Sequence, residues 1–328
     1  MYMHRFRVKL LVMLFGAAAL AAVQPCEPVR LPRKPNQLGA QGACCRCNES
    51  HCDSVEPVGD IIGSGAFVVY TTSLHNDSER LSRSQGQLEP VPLRSAAAQH
   101  IVINVSATFQ TITGFGAAFT DASTLAVRAL RPQAQAHLLQ SYWGESGLRY
   151  SIGRIPIGST DFSTSVYSYN DERWASAGVE DVNLTHFSVE VDERTGRLPL
   201  IRAALQISAA RPSSAASAHP PLQLFGSCWA PPPWMTTTNS TLNAALRDRP
   251  GGPIHNAYAR YLSKFASVYR QHGVPVWALT AGNEPAGNSG KWQDLKFTAA
   301  QQRVRTTEPL EPVSQSVSQS VSSKTVIK

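Results

Sequence analysis

Between about residue 111 and residue 280 the sequence alternates short apolar runs with helical segments, and this alternation limits the fold more than any other feature. Strand-like runs fall at Ile112–Gly116, Leu148–Ile157, Leu222–Trp229 and Val274–Thr280. Helical spacing marks Ala122–Leu130, Ala134–Tyr142 (with a break at Pro132) and Leu198–Ala210. Ile254–Gln271 puts Tyr258, Tyr261, Leu262, Phe265 and Val268 on one face and stops before Gly273. Strands that alternate with helices pair in parallel through crossover connections. The expected class is α/β, with four parallel strands of the eight that a closed (β/α) barrel requires.

The segments on either side follow other rules. Residues 56–110 carry the strand-like runs Gly65–Thr71 and Ile101–Thr108, punctuated by Gly, Ser and Asn, and read as part of a small β domain. Residues 304–328 repeat Val-Ser-Gln-Ser without a core-forming pattern and read as a low-complexity tail. No apolar run reaches the roughly 18 residues of a membrane-spanning helix. The net charge of +7 is spread out, with no Lys/Arg cluster interleaved with aromatics, so nucleic acid is not an expected partner.

The N-terminus reads as a secretory signal over residues 1–22. His4, Arg5, Arg7 and Lys9 precede an apolar run from Leu10, with small residues at Ala19 and Ala21. Residues 23–55 then hold Cys26, Cys44, Cys45, Cys47 and Cys52. In a secreted chain such a cluster is expected to form two disulfides, with zinc binding as the alternative, and spacing does not set the connectivity. Cys228 lies far off on an apolar run and reads as a buried thiol rather than a nucleophile. Asn48, Asn76, Asn104, Asn183 and Asn239 begin glycosylation triplets.

The sharpest chemical feature is Asn283-Glu284-Pro285, directly after the fourth strand-like run. A carboxylate at the C-terminal end of a barrel strand points into the place where such folds keep their active sites. Partial burial of Glu284 is expected, as suits a proton donor to a leaving group. Asn283 is a partner for a sugar hydroxyl, and Trp229 and Trp234 flank a Pro-rich turn after the third strand. Asp161 follows the second strand. Asp121 stands before an Ala-rich helix and is expected to cap it. No metal site and no cofactor are expected.

Several motifs in order carry a resemblance. Cys45-Arg46-Cys47-Asn48-Glu49-Ser50-His51-Cys52-Asp53-Ser54, Gly114-Phe115-Gly116-Ala117-Ala118-Phe119-Thr120-Asp121-Ala122, Arg154-Ile155-Pro156, Asp161-Phe162-Ser163 and Thr280-Ala281-Gly282-Asn283-Glu284-Pro285 are similar to the acid glucosylceramidases of glycoside hydrolase family 30. The likeness runs from about Cys26 to about Arg303. It implies a retaining β-glucosidase that cleaves glucosylceramide, on a (β/α)₈ TIM barrel joined to a β-sandwich, with the barrel in this chain spanning 111–303.

The resemblance makes Glu284 the acid/base and Asn283, Asp161, Trp229 and Trp292 its substrate-binding companions. Arg154 becomes a supporting arginine beneath them. It pairs Cys26 with Cys45 and Cys47 with Cys52. It also implies a saposin-type activator, an anionic lipid surface, peripheral rather than integral membrane contact, and a sorting receptor that delivers the protein to the lysosome.

The chain departs from the family at Gly282, where an acidic residue is usual, and at Cys228, where proline is usual. Beyond Arg303 the likeness stops, so the expectation is the N-terminal half of the barrel without the nucleophilic glutamate of strand seven. Asp294, Glu308 and Glu311 do not replace it. On that expectation the chain alone is poorly stable and hydrolyses little. The alternatives are a non-catalytic secreted glycoprotein that binds glycolipid or the family's partners, or a polypeptide retained in the endoplasmic reticulum.

Overall fold

The computed structural model describes residues 7–8, 29–30, 43–44, 49–50, 58, 65–73, 82–88, 101–102, 104, 106–211, 220–286 and 292–302. The chain divides into two compact units, residues 1–113 and 114–328. The sequence expectations for Cys26, Cys45, Cys47 and Cys52, for Asn48 and Asn76, for the tail, and for the leader apart from residues 7–8 lie outside the described residues. No helix among the described residues is long and apolar enough to cross a membrane.

Among the described residues of the first unit, strands pair antiparallel at three places. β1 (Arg7–Val8) pairs with β6 (Ile101–Val102), β2 (Val29–Arg30) with β3 (Ala43–Cys44), and β4 (Ala66–Thr71) with β5 (Ser82–Gln87). β5 reads SRSQGQ, with no apolar alternation to announce it. Its ladder partner makes it a strand, and Gly86 is needed there because a Cβ would lie 2.6 Å from the Phe67 ring. The strand expected over Ile101–Thr108 is only two residues long. Asn104 Oδ1 accepts the Ser106 N–H (3.1 Å), a local turn that takes the backbone out of extension. Asn104 itself is exposed in that turn.

The second unit is built on a four-stranded sheet in the order β11–β9–β8–β7, every pair parallel. The strands are β7 (Gly116–Ala118), β8 (Ile152–Ile157), β9 (Gln223–Cys228) and β11 (Ala278–Thr280). β7 starts later than expected, at Gly116, where a Cβ would fall on the Ile152 carbonyl. Ile112 and Phe115, read as strand, are exposed. β8 starts late because Arg149 turns with φ 53° and the Tyr150 N–H donates to Tyr142 O (2.9 Å), tying these residues to the preceding helix. β11 is short because the Val274 N–H donates to Tyr269 O (2.9 Å), which folds the run back on the helix before it.

Among the described residues six α-helices accompany the sheet: α1 (Asp121–Arg128), α2 (Pro132–Trp143), α3 (Glu172–Ala177), α4 (Glu190–Thr195), α5 (Arg197–Ala209) and α6 (Pro253–Gln271). Pro132 starts α2 at its first turn, where a missing N–H costs nothing. α3 and α4 are short and polar, so no apolar period marks them. Gly196 ends α4 with a left-handed φ of 92° and opens α5. α6 buries Ile254, Ala257, Tyr258, Tyr261, Leu262, Phe265 and Tyr269, a stripe at spacings of three and four. With Ile155, Ile157 and Leu224 from the strands and Leu198 and Ile201 from α5, this stripe forms the core. Each such side chain contributes about 1.5–3 kcal/mol. A small parallel pair, β10 (Ala244–Ala245) with β12 (Leu295–Lys296), lies beside this layer in the chain's order.

Asp181, in the connection from α3 to α4, is buried and accepts from Asn170 Nδ2 (2.9 Å), Thr185 Oγ1 (2.9 Å) and the His186 N–H (2.7 Å). Burial pushes its carboxyl up, but these donors hold it well below the ordinary 3.8. Its folded pKa is the lower one, so its stabilisation is complete above pH 3.8 and fades as pH falls toward the folded value. Urea midpoints taken between pH 5 and pH 2.5 should therefore drop less steeply in Asp181→Asn than in the wild type.

Candidate active site

The parallel register brings three strand ends together. Arg154 stands opposite Phe225, Pro156 opposite Ser227 and Ser227 opposite Thr280, so β8, β9 and β11 deliver their C-terminal residues to one edge of the sheet. Arg154 Nη2 donates to Asn283 Oδ1 (2.7 Å) and to Ser227 Oγ (3.0 Å). Thr280 Oγ1 donates to Ser227 Oγ (2.7 Å). The Arg154 guanidinium lies 4.2 Å from the centre of the Trp229 ring, within cation–π range. Burial draws its pKa down from 12.5 and the charge of Glu284 pulls it back up. Arginine nonetheless stays protonated in proteins.

A guanidinium carries donors only, so the oxygen of the Asn283 amide must face it. Asn283 is buried, and its Nδ2 is left to donate away from Arg154. The loop that carries it is tied on three sides. The Asn283 N–H donates to Cys228 O (2.8 Å), the Tyr258 hydroxyl of α6 donates to Ala281 O (2.7 Å), and the Phe297 N–H donates to Pro285 O (2.8 Å). Glu284 lies inside these ties with φ 43°, a left-handed conformation that costs a non-glycine residue about 1–2 kcal/mol. Strained backbone of this kind persists only where the surroundings over-determine it.

Four of the residues singled out in the sequence are thus assembled: Arg154, Trp229, Asn283 and Glu284. Two expectations need correction. Glu284 is exposed, not partly buried. It follows β11, the edge strand of the sheet, and no further strand among the described residues covers that side. Asp121 does not cap α1, because Thr120 accepts the Ser123 N–H (3.1 Å) and fills that role. The Asp121 carboxylate instead turns inward, to Ser163 Oγ (2.5 Å), Tyr167 OH (2.9 Å) and Arg197 Nη1 (3.3 Å).

Asp161 sits exposed in the turn after β8, and Trp292 is 45% exposed before β12. Among the described residues neither has a hydrogen bond to Arg154, Asn283 or Glu284. Trp234 belongs to the core, its indole N–H donating to Asn170 O (3.0 Å). Cys228 is a buried thiol at the end of β9, as the sequence suggests. Asn183 and Asn239 are exposed. Among the described residues no group of three or more His, Cys, Asp or Glu side chains is placed to hold a metal ion. Sequence reading missed Ser227, Thr280 and Tyr258. Ser227 is a small hydroxyl with no motif of its own, Thr280 opens the Asn283-Glu284 motif without a role assigned to it, and Tyr258 is indistinguishable in sequence from the rest of the apolar stripe of α6.

Comparison with known proteins gives this arrangement a family. The glycosyl hydrolase family 30 TIM-barrel domain matches residues 112–327. Putative glucosylceramidase 4 of Caenorhabditis elegans is 34% identical over 302 residues, 90% of this chain and 52% of that protein. Lysosomal acid glucosylceramidase of Mus musculus is 33% identical over 296 residues, 88% of this chain and 52% of that protein. The chain therefore spans about half the length of these relatives. Among solved structures, SrfJ from Salmonella typhimurium superposes with a TM-score of 0.57 at 24% identity, covering 73% of this chain and 47% of that one. An endo-β1,6-glucanase superposes with a TM-score of 0.56 at 24% identity, covering 74% and 47%. These two likenesses speak for the barrel fold alone. A domain match over more than half of the chain, together with curated relatives at this level of identity, makes the chain a member of glycosyl hydrolase family 30.

Proposed function

We propose that the protein is a retaining β-glucosidase that releases glucose from glucosylceramide, with Glu284 as acid/base. The observation that carries this reading is the set Arg154–Asn283–Glu284, with Arg154 within β8 and the other two just beyond β11, where Asn283 is oriented by Arg154 to donate outward beside an exposed carboxyl group. Glu284 gives its proton to the glycosidic oxygen as the bond to the anomeric carbon breaks, while a second carboxylate attacks that carbon from the other face. Water then displaces that carboxylate, and Glu284 takes the proton back from it. By resemblance the second carboxyl belongs to a later barrel strand. Asn283, Asp161, Trp229 and Trp292 hold the glucose, the tryptophans by stacking on its apolar face.

The proposal extends to the surroundings. A leader-like N-terminus, the glycosylation triplets and a mouse relative named as lysosomal support secretion toward the lysosome. There the substrate is presented on an anionic lipid surface with a saposin-type activator.

The test is release of ceramide from glucosylceramide in phosphatidylserine vesicles at acidic pH, by this chain joined to the later barrel strands that carry the second carboxyl and by the same protein with Glu284→Gln, with β-1,6-glucan as the competing substrate; the 328-residue chain by itself is expected to release little. Release by the wild type alone is the expected result. Hydrolysis of the glucan in its place would overturn the substrate. Binding of the vesicles without turnover by either protein would favour a non-catalytic glycolipid-binding glycoprotein.

A further inference from the structure

We propose that Asp121 is a positioning residue for Asp161, its buried carboxylate acting as the latch that fixes the turn on which Asp161 is displayed. Asp161 lies in the turn Thr160–Ser163, just beyond β8, and its own side chain is exposed. The backbone around it is held tightly. The Ser163 N–H donates to Thr160 O (3.0 Å), the Thr160 N–H to Ser163 Oγ (2.9 Å), and the Phe162 N–H to Thr160 Oγ1 (3.0 Å). The turn is then fastened to α1 at two points. The Ala122 N–H donates to Phe162 O (2.9 Å), and Ser163 Oγ donates to Asp121 Oδ2 (2.5 Å). Ser163 Oγ is therefore both the acceptor inside the turn and the donor to the latch.

The far end of the same loop reaches the same carboxylate. Tyr167 OH donates to Asp121 Oδ2 (2.9 Å), and Tyr167 is clasped to Ser159 through Ser159 Oγ to Tyr167 O (3.0 Å) and the Tyr167 N–H to Ser159 Oγ (2.9 Å). One buried carboxylate thus holds segment 159–167 at its middle, through Ser163, and at its far end, through Tyr167, which is itself clasped to Ser159. Only a carboxylate accepts from a serine hydroxyl, a tyrosine hydroxyl and a guanidinium together, whereas an amide would present N–H groups to one of these donors. A backbone locked from beneath with the functional side chain left open is the arrangement that preorganised binding requires. The inference that the latch serves sugar binding rests on the function proposed above; the existence of the latch does not.

Hydrogen exchange of the 328-residue chain, read by mass spectrometry, tests the latch. Asp121→Asn and Ser163→Ala should speed exchange across residues 159–167 by about tenfold, the equivalent of one lost charge-assisted hydrogen bond. Ser163→Thr, which keeps the hydroxyl, should restore wild-type protection, and α6 should be unchanged in all three. An equal rise in α6, or no rise in 159–167, overturns the proposal. Affinity for 1-deoxynojirimycin, a glucose-shaped iminosugar, separates this from the functional reading. Asp161→Ala should abolish binding and Asp121→Asn should weaken it about tenfold. Faster exchange with undiminished affinity would remove the positioning role. A wild type that does not bind the iminosugar would overturn the glucosidase reading, while the exchange data still decide the latch.

Discussion

With the second carboxyl of the later barrel strand in place, Glu284→Gln is expected to lower turnover of alkyl β-glucosides and glucosylceramide by about 10²–10⁴-fold, the usual contribution of a general acid. The loss should depend on the leaving group. An alkoxide of high pKa needs the proton as the bond breaks, whereas a dinitrophenolate leaves without help. On 2,4-dinitrophenyl β-glucoside the first step should therefore be nearly unaffected, and the glucosyl-enzyme should accumulate because water is no longer deprotonated. Added azide, which needs no general base, should then raise turnover and yield glucosyl azide. Equal losses on both substrates, with no azide effect, would mean that Glu284 holds its loop without transferring a proton. Its left-handed φ of 43° makes that alternative concrete, since the side chain sits on a strained turn. Glutamine keeps the side chain's size and the backbone, so the comparison isolates the proton.

Removing the charge of Arg197 is expected to cost about 3–5 kcal/mol of stability, the penalty for leaving a buried ionic partner uncompensated. Arg197 is fully buried and forms ion pairs with Asp192 and with Asp121 (3.3 Å). Its Nη2 also donates to Tyr167 OH (3.0 Å) and Tyr169 OH (2.9 Å). Tyr169 donates to Asp192 Oδ2 (2.5 Å), and Tyr269 donates to the same oxygen. Burial works against the charge of Arg197, but Asp192 and the surrounding hydroxyls hold its pKa well above the ordinary arginine value. Burial likewise drives the Tyr169 and Tyr269 hydroxyls well above 10, so they remain donors. Arg197→Met leaves two carboxylates facing hydroxyls with no cation. Urea unfolding should show an unfolding free energy lowered by that amount, and adding Asp121→Asn and Asp192→Asn should recover much of it. A single variant as stable as the wild type would show that this network is neutral.

How far the sequence could be read depended on how local each signal was. The faces of α6 and α5 were legible because a buried stripe repeats every three to four residues whatever it packs against. The parallel pairing of the four strands followed from their alternation with helices. β5 was not legible, since SRSQGQ owes its extended form to β4. Nor were α3 and α4, which are short and carry no apolar period; Asp192 and Glu193 of α4 find their partners elsewhere in the fold. Strand ends moved by two to four residues at β7, β8 and β11 because a strand starts where its neighbour supplies the next bond, and that neighbour lies tens of residues away.

The site divides in the same way. Residue types with a chemical reason to be where they are, Asn283 and Glu284 after a strand and Trp229 at the end of another, stood out from their neighbours in the chain. Which carboxylate is covered did not. Asp121, expected at a solvated helix end, is 4% exposed in an ionic network, while Glu284, expected partly buried, faces solvent. Burial is set by what other elements lay over a residue. Ser163 and Arg197 reach Asp121 from 42 and 76 positions along the chain, and Asn283 meets Arg154 across 129. Local sequence therefore determined which side chains have chemistry to offer and which runs pair in parallel. Only the packed sheet and its helices decided which of those charges lie in a low-dielectric interior, where one missing partner costs several kcal/mol, and which remain open to a substrate.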